Sequence, residues 1–189
     1  MDRFTAFLDA NVIYPAGLRD TLLRLADRNL YRARWSAMVH EEWMRNVLND
    51  RSDLNFDQLQ RTRETMDRHF PDALVVGFEP LIDGLSLPDP DDRHVLAAAI
   101  RGRADVIVTQ NLKDFPQEGL DPYEIEAQHP DDFALGLFDL YPGAVLGAVR
   151  DHRAALRRQP RTADEHVEAY ERMGMTKFSS ALQEYADVL

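Results

Sequence analysis

The chain has 189 residues, 44% of them hydrophobic, enough for one domain, or one domain with a helical extension, to build a core without metal or disulfide staples. It contains no cysteine, which excludes zinc–thiolate sites, redox motifs and disulfide frameworks and suits a reducing cytoplasm. A net charge of −11 argues against a protein that coats nucleic acid through Lys and Arg; it leaves room for a local basic surface, for carboxylates gathered on a divalent metal, or for a basic partner.

The first ten residues include Asp2, Arg3 and Asp9 and hold no apolar run long enough for a signal peptide. No later run approaches the ~20 apolar residues of a membrane span, so the expectation is a soluble cytoplasmic protein with no membrane partner. Phe4-Thr5-Ala6-Phe7-Leu8 stops at Asp9-Ala10-Asn11, which predicts a buried first strand followed by a helix start. Residues 18–26 carry apolar side chains at 18, 22, 23, 25 and 26, the spacing of a helix; residues 32–35 read as a second strand, with Ser36 capping the next helix.

That helix, about residues 37–48, sets Val39, Trp43 and Val47 on one stripe. After Asn49-Asp50-Arg51-Ser52 comes a second amphipathic helix over 56–70, then Leu74-Val75-Val76 as strand three. Past the loop at 84–88, Asp89-Pro90-Asp91-Asp92 opens an alanine-rich helix to Arg101 with Gly102 as its stop. Val106-Ile107-Val108 is strand four, and Tyr123-Glu124-Ile125 is a candidate fifth. Strands alternating with helices imply βαβ units and a parallel sheet covered on both faces, with the reactive crevice at the carboxyl ends of the strands.

From His129 onward the pattern is helical only, over 133–140, 145–158, 163–173 and 178–189, with Pro142, Pro160 and Gly174 as breaks. The expected organisation is an α/β domain over residues 1–130 and an all-helical C-terminal extension over 131–189.

Four places put a carboxylate or carboxamide where the sheet and its helices should converge: Asp9, Glu42, Asp92, and Asn111 with Asp114. Each has a plain local explanation. Asp9 suits a helix N-cap, and Glu42 borders a buried stripe, with Glu41 beside it as a solvated charge. Asp89, Pro90, Asp91 and Asp92 suit a helix start, and Asn111 and Asp114 suit a turn. Phase favours Asp92, which is in register with Val95, Leu96 and Ala99, while Asp91 points elsewhere. Thr109 and Asn111 follow strand four directly, at the same sheet edge as Asp9. Oxygen-bearing side chains arriving at one edge repel unless a cation neutralises them. Mg2+, or Mn2+ in its place, suits such ligands and bridges to phosphate, which points to phosphodiester hydrolysis.

The order Phe7-Leu8-Asp9-Ala10-Asn11-Val12, then Ser36 with Glu42 six residues on, then Asp91-Asp92-Arg93-His94-Val95-Leu96-Ala97-Ala98-Ala99, then Ala104-Asp105-Val106-Ile107-Val108-Thr109-Gln110-Asn111-Leu112-Lys113-Asp114-Phe115-Pro116, resembles a PIN domain over roughly residues 4–130. More narrowly, it is similar to the toxin half of bacterial VapBC-type toxin–antitoxin pairs. The resemblance implies a three-layer α/β/α fold around a short parallel sheet, and a metal-dependent endoribonuclease. Asp9, Glu42 and Asp92 match the family's three main acids. Asn111 takes the fourth position, often Asp, with Asp114 close behind and Asn11 and Thr109 in support. Asn at 111 departs from the family pattern and removes one negative charge, though a carboxamide still ligates a metal or holds its water.

Similar proteins are mostly toxins that cleave RNA, often transfer RNA. They are silenced by an antitoxin whose tail blocks the acidic site, and commonly form homodimers. The helical tail is longer than in minimal members and resembles a subset with an added C-terminal domain.

Arg150, Arg153, Arg157, Arg158 and Arg161 form the densest basic stretch, readable as a solvated face or as a grip on RNA phosphates. His40, His94 and His152 share no ligand spacing and read as ordinary surface or core-edge residues. A haloacid dehalogenase-type phosphatase needs a second Asp two residues after the first, where this chain has Asn11. The main alternative is a PIN-fold module with weak catalysis that binds RNA or protein, which Asn111 favours.

Overall fold

Thr5, Ala6, Phe7 and Leu8 are all buried, so side chains on both faces of this strand are covered, as in the centre of a parallel sheet. In the computed structural model, which describes residues 3–189, that strand is β1 (Thr5–Leu8). Met1 and Asp2, part of the polar start of the chain, lie outside the described residues. The strands β2 (Arg32–Ser36), β3 (Leu74–Val75), β4 (Val106–Val108) and β5 (Glu126–Gln128) join β1 in the order β3-β2-β1-β4-β5, every pair parallel. Helices cover both sides of this five-stranded sheet. The order reverses at β1, which runs to β2 on one side and to β4 on the other, so the crevice of such a sheet opens past the ends of β1 and β4.

The chain forms two compact units: residues 3–14 pack with Arg32–Gln128, and Pro15–Tyr31 pack with His129–Leu189. In the first unit, α1 (Ala10–Ile13) follows β1 directly. The helix α2 (Ala16–Asp27) belongs to the second unit although it lies early in the chain. Next come α3 (Ala37–Asp50), capped by Ser36 Oγ accepting from Val39 N at 3.2 Å, and α4 (Phe56–His69). A short helix, α5 (Glu79–Ile82), has no counterpart in the sequence reading. The alanine-rich helix starts with a 3-10 turn over Pro90–Asp92 and continues as α6 (Arg93–Arg101), packed against β1, β2 and β4. Gly102 follows it as C-cap, and the position has little room for a side chain: a Cβ there would lie 2.9 Å from Val75 Cγ2 and 3.1 Å from the Ala98 carbonyl oxygen.

The fifth strand lies three residues later than expected. Tyr123 ends a 3-10 turn and Glu124 adopts a left-handed φ of 56°, so no extended run can pass through them. Pairing begins where Glu126 N donates to the Asp105 carbonyl at 3.0 Å. The short α7 (Gln117–Leu120) precedes this turn.

A buried relay fixes α3 against α4. Trp43 Nε1 donates to His40 Nδ1 at 2.9 Å, which leaves the His40 proton on Nε2, 3.0 Å from Asp67 Oδ1. Trp35 Nε1 donates to the same Asp67 oxygen at 2.8 Å. His40 has no exposed surface, so it is a core residue and not the surface or core-edge group expected of it.

The second unit is helical. It combines α2 with α8 (Pro130–Leu140), α9 (Pro142–Ala155), α10 (Ala163–Arg172) and α11 (Thr176–Gln183). Here α2 packs on α9, α8 on α9 and α11, and α10 on α11. Pro142 is the first residue of α9, a position that loses nothing by lacking an N–H. Asp131, buried, accepts from Lys177 N at 3.0 Å and Phe178 N at 2.8 Å at the start of α11. Thr21 Oγ1 lies 3.1 Å from His152 Nδ1 and 3.2 Å from the Tyr170 hydroxyl. His152 is therefore also a core residue, unlike its expected surface or core-edge place. Among the described residues no helix is long and apolar enough to cross a membrane.

Both tryptophans of the chain, Trp35 and Trp43, sit in the first unit, so their fluorescence follows it alone. Asp67→Ala strands two buried donors, and we expect urea unfolding read by tryptophan emission to show a loss of about 2–3 kcal/mol.

Candidate functional site

Past the ends of β1 and β4 three polar side chains lock together. Thr109, with no exposed surface, follows β4, and its Oγ1 donates to Asp9 Oδ2 at 2.7 Å. Asn11 Nδ2 donates to the same Asp9 oxygen at 2.7 Å and reaches Thr109 Oγ1 at 2.9 Å. Asn11 Oδ1 accepts from Gln110 N at 3.0 Å, and Thr109 Oγ1 accepts from Asn111 N at 3.0 Å. Asp9 also caps α1, its Oδ1 accepting from Ala10 N at 2.7 Å. The capping and site readings of Asp9 thus hold together, one through each oxygen.

Above this knot is a cavity of about 640 Å³ lined by Asp9, Asn11, Glu42, Asp92, Asn111 and Asp114. The sequence reading placed these residues at one edge from separate segments, and they do share one cavity. Asp89 caps the following turn, accepting from Asp91 N at 2.9 Å, whereas Asp92 makes no side-chain hydrogen bond to the helix it precedes. Its carboxylate is free for the cavity. Asn111 Nδ2 donates to Asp114 Oδ2, which turns the two side chains into one group.

Six further lining residues escaped the sequence reading of the site: Met38, Glu41, Arg45, Asp89, Asp91 and His94. Met38, Glu41, Glu42 and Arg45 occupy positions i, i+3, i+4 and i+7 of α3, one face of a helix, so that spacing was the available signal. Glu41 is exposed, as expected, yet stands on the cavity rim; Asp91, expected to point elsewhere, does too. His94 is 8% exposed, in line with a core-edge place, and it lines the cavity with its Nε2 3.4 Å from Glu42 Oε2.

The electrostatics are those of crowded carboxylates. Burial pushes Asp9 up to about 6, assisted by Glu42 and opposed by the Thr109 hydrogen bond. Asp92 is raised to about 7 by burial first, then by Asp9, Asp89, Asp114 and Glu42. Among the described residues no three carboxylate or imidazole groups already converge on one metal position. The donor set is nonetheless oxygen-rich and short of positive charge, which fits a divalent cation that keeps several of its waters.

The PIN domain family matches residues 5–113, more than half of the chain. The chain belongs to the PIN domain family. That match includes residues 15–31, which pack in the helical unit. Residues 130–184 match the VapC50 C-terminal domain, in keeping with the added C-terminal domain that the long helical tail implied. A protein of Mycobacterium tuberculosis (strain ATCC 25618 / H37Rv) named "Putative ribonuclease VapC50" is 51% identical over 77 residues, 41% of this chain and 45% of that protein. The matched stretch thus spans less than half the length of that relative. No solved structure matches the chain.

The basic stretch belongs to the helical unit. Arg150, Arg157 and Arg158 are exposed and Arg161 is half-buried. Arg153 is not available as expected: it donates to the Arg161 carbonyl at 3.1 Å and the Leu189 carbonyl at 2.8 Å.

Because Asp9 and Asp92 titrate higher when folded, the folded PIN unit binds more protons than the unfolded chain above about pH 4, and their contribution to stability fades as pH rises toward 7. Mg2+ should therefore raise the fluorescence-monitored melting temperature more at about pH 7.5 than at about pH 5. Asp92→Asn should raise the metal-free melting temperature at the higher pH and shrink the Mg2+ response.

Proposed function

We propose that this PIN-domain chain is an endoribonuclease dependent on Mg2+ or Mn2+, and the toxin of a VapBC-type toxin–antitoxin pair. The observation that carries the reading is the meeting of Asp9, Glu42, Asp92 and Asn111 on one cavity at the strand ends. The name of the Mycobacterium tuberculosis relative supports a ribonuclease. In this reading Asp9, Glu42, Asp92 and Asn111 hold the cation, which when bound supplies an activated water and offsets charge on the leaving oxygen.

The chain's own residues divide the remaining work. Thr109 and Asn11 keep Asp9 Oδ2 in place through two 2.7 Å hydrogen bonds, so the buried carboxylate does not have to reorganise when substrate arrives. His94 stands beside Glu42, its Nε2 3.4 Å from Glu42 Oε2. The bond from Asn111 to Asp114 bears on the alternative of a catalytically weak binding module. It orients a carboxylate three residues beyond the position where the family often has Asp, which supports the enzyme over the module. The toxin reading further implies a homodimer that a cognate antitoxin silences, and RNA as substrate, with transfer RNA the first to test.

Purified protein with Mg2+ or Mn2+ should cleave labelled RNA and lose that activity in EDTA. Asp9→Asn and Asp92→Asn should each lower kcat by about 100-fold or more; equal cleavage by all three proteins would assign the activity to a contaminant and end the reading.

RNA contact by the helical unit is part of the proposal. Arg157→Glu with Arg158→Glu should weaken RNA binding and flatten its salt dependence without changing the melting temperature. Arg153→Glu should instead lower the melting temperature of that unit, because two carbonyls lose their donor. Far-ultraviolet circular dichroism on heating separates the two outcomes.

A further inference from the structure

Seven carboxylates line the cavity of the PIN unit, together with two side chains able to carry positive charge, His94 and Arg45. His94 is accounted for by Glu42, 3.4 Å away. Arg45 is not accounted for. It is exposed, stands three residues beyond Glu42 on the same face of α3, and among the described residues forms no ion pair or hydrogen bond.

That lack of a partner is informative because partners are near. A guanidinium one turn from a glutamate on a helix is within reach of it, and elsewhere in this unit Arg51 pairs with Asp53 at 2.7 Å and Arg63 with Asp67 at 3.8 Å. Arg45 faces the same acidic cavity with its planar array of donors open. Such an array matches the oxygens of a carboxylate or a phosphate.

We propose that Arg45 binds a backbone phosphate of the RNA strand that enters this cavity, an inference that rests on the nuclease reading above. Negative charge dominates the cavity and repels a bare polyanion, so a fixed cation at the rim is needed to admit one. A phosphodiester has two non-bridging oxygens, one to face the guanidinium and one to face a cation held by the carboxylates. An acidic protein segment gains less here, since its own carboxylates would meet seven others.

The test uses the full chain as wild type, Arg45→Ala and Arg45→Lys, with a fluorescein-labelled single-stranded RNA as substrate. For Arg45→Ala we expect KM to rise on the order of tenfold with kcat little changed. The slope of log KM against log [KCl] should fall by about 0.7, the signature of one lost contact to a single strand. Arg45→Lys should recover the salt slope and only part of the affinity, because the charge returns without the planar fork. Calorimetric Mn2+ binding that is equal in all three proteins would show the carboxylates undisturbed and assign the change to RNA. If the wild type cleaves RNA and Arg45→Ala has the same KM and salt slope, the proposal falls and the nuclease reading stands. If the wild type neither binds nor cleaves RNA, both fall together. If Arg45→Ala keeps its RNA kinetics but loses binding to a polyglutamate peptide, Arg45 serves an acidic protein partner and the RNA proposal is overturned.

Discussion

The hydrogen bonds joining Thr109 and Asn11 to Asp9 tie the end of β1 to the end of β4. Those two strands are neighbours in the sheet although about 100 residues separate them in the chain. At this place the sheet order reverses, and backbone and side chains diverge to leave a crevice. The knot satisfies polar groups that would otherwise be buried without partners, and it holds one carboxylate at the floor of that crevice in a single orientation. The other acids of the site line the same cavity.

The walls depend on how α3 and the turn before α6 are anchored. The relay from Trp43 through His40 to Asp67, joined by Trp35, fixes α3 by buried hydrogen bonds, and with it the face that carries Glu42 and Arg45. Asp89 takes the capping duty in its own turn, which frees Asp92 from it. Burial first, and then the neighbouring charges of Asp9, Asp89, Asp114 and Glu42, raise the proton affinity of Asp92. Like charges held this close oppose full ionisation of the cavity, and under the proposed function a bound divalent cation would offset that opposition.

The helical unit is discontinuous in sequence. Its core takes α2 from near the start of the chain and joins it to α9 through Thr21, His152 and Tyr170. Family matching divides the chain differently, with the PIN domain over 5–113 and the VapC50 C-terminal domain over 130–184. The first division follows packing and the second follows sequence likeness, so α2 belongs to the PIN domain by descent and to the helical unit by contact. The same packing withdraws Arg153 from the basic stretch and leaves Arg150, Arg157 and Arg158 exposed.

Periodicity alone gave the parallel α/β architecture, four of the five strands, the capping of α3 by Ser36 and the helical character of the tail, because burial of one face imposes spacing on the residues that supply it. Asp9, Glu42, Asp92 and Asn111 were candidates because each stands where an element ends, or beside a buried stripe, and the resemblance to a PIN domain singled them out, Glu42 mainly through its spacing from Ser36. Local pattern could not place β5, since a left-handed residue at Glu124 and the pairing of Glu126 with Asp105 decide its position. Nor could it show that His40 and His152 are core residues, that His94 meets Glu42, or that Arg45 has no ion-pair or hydrogen-bond partner among the described residues. Those facts concern which side chains meet across long separations in the chain, and only the packed structure, where each donor finds or fails to find its acceptor, determines them.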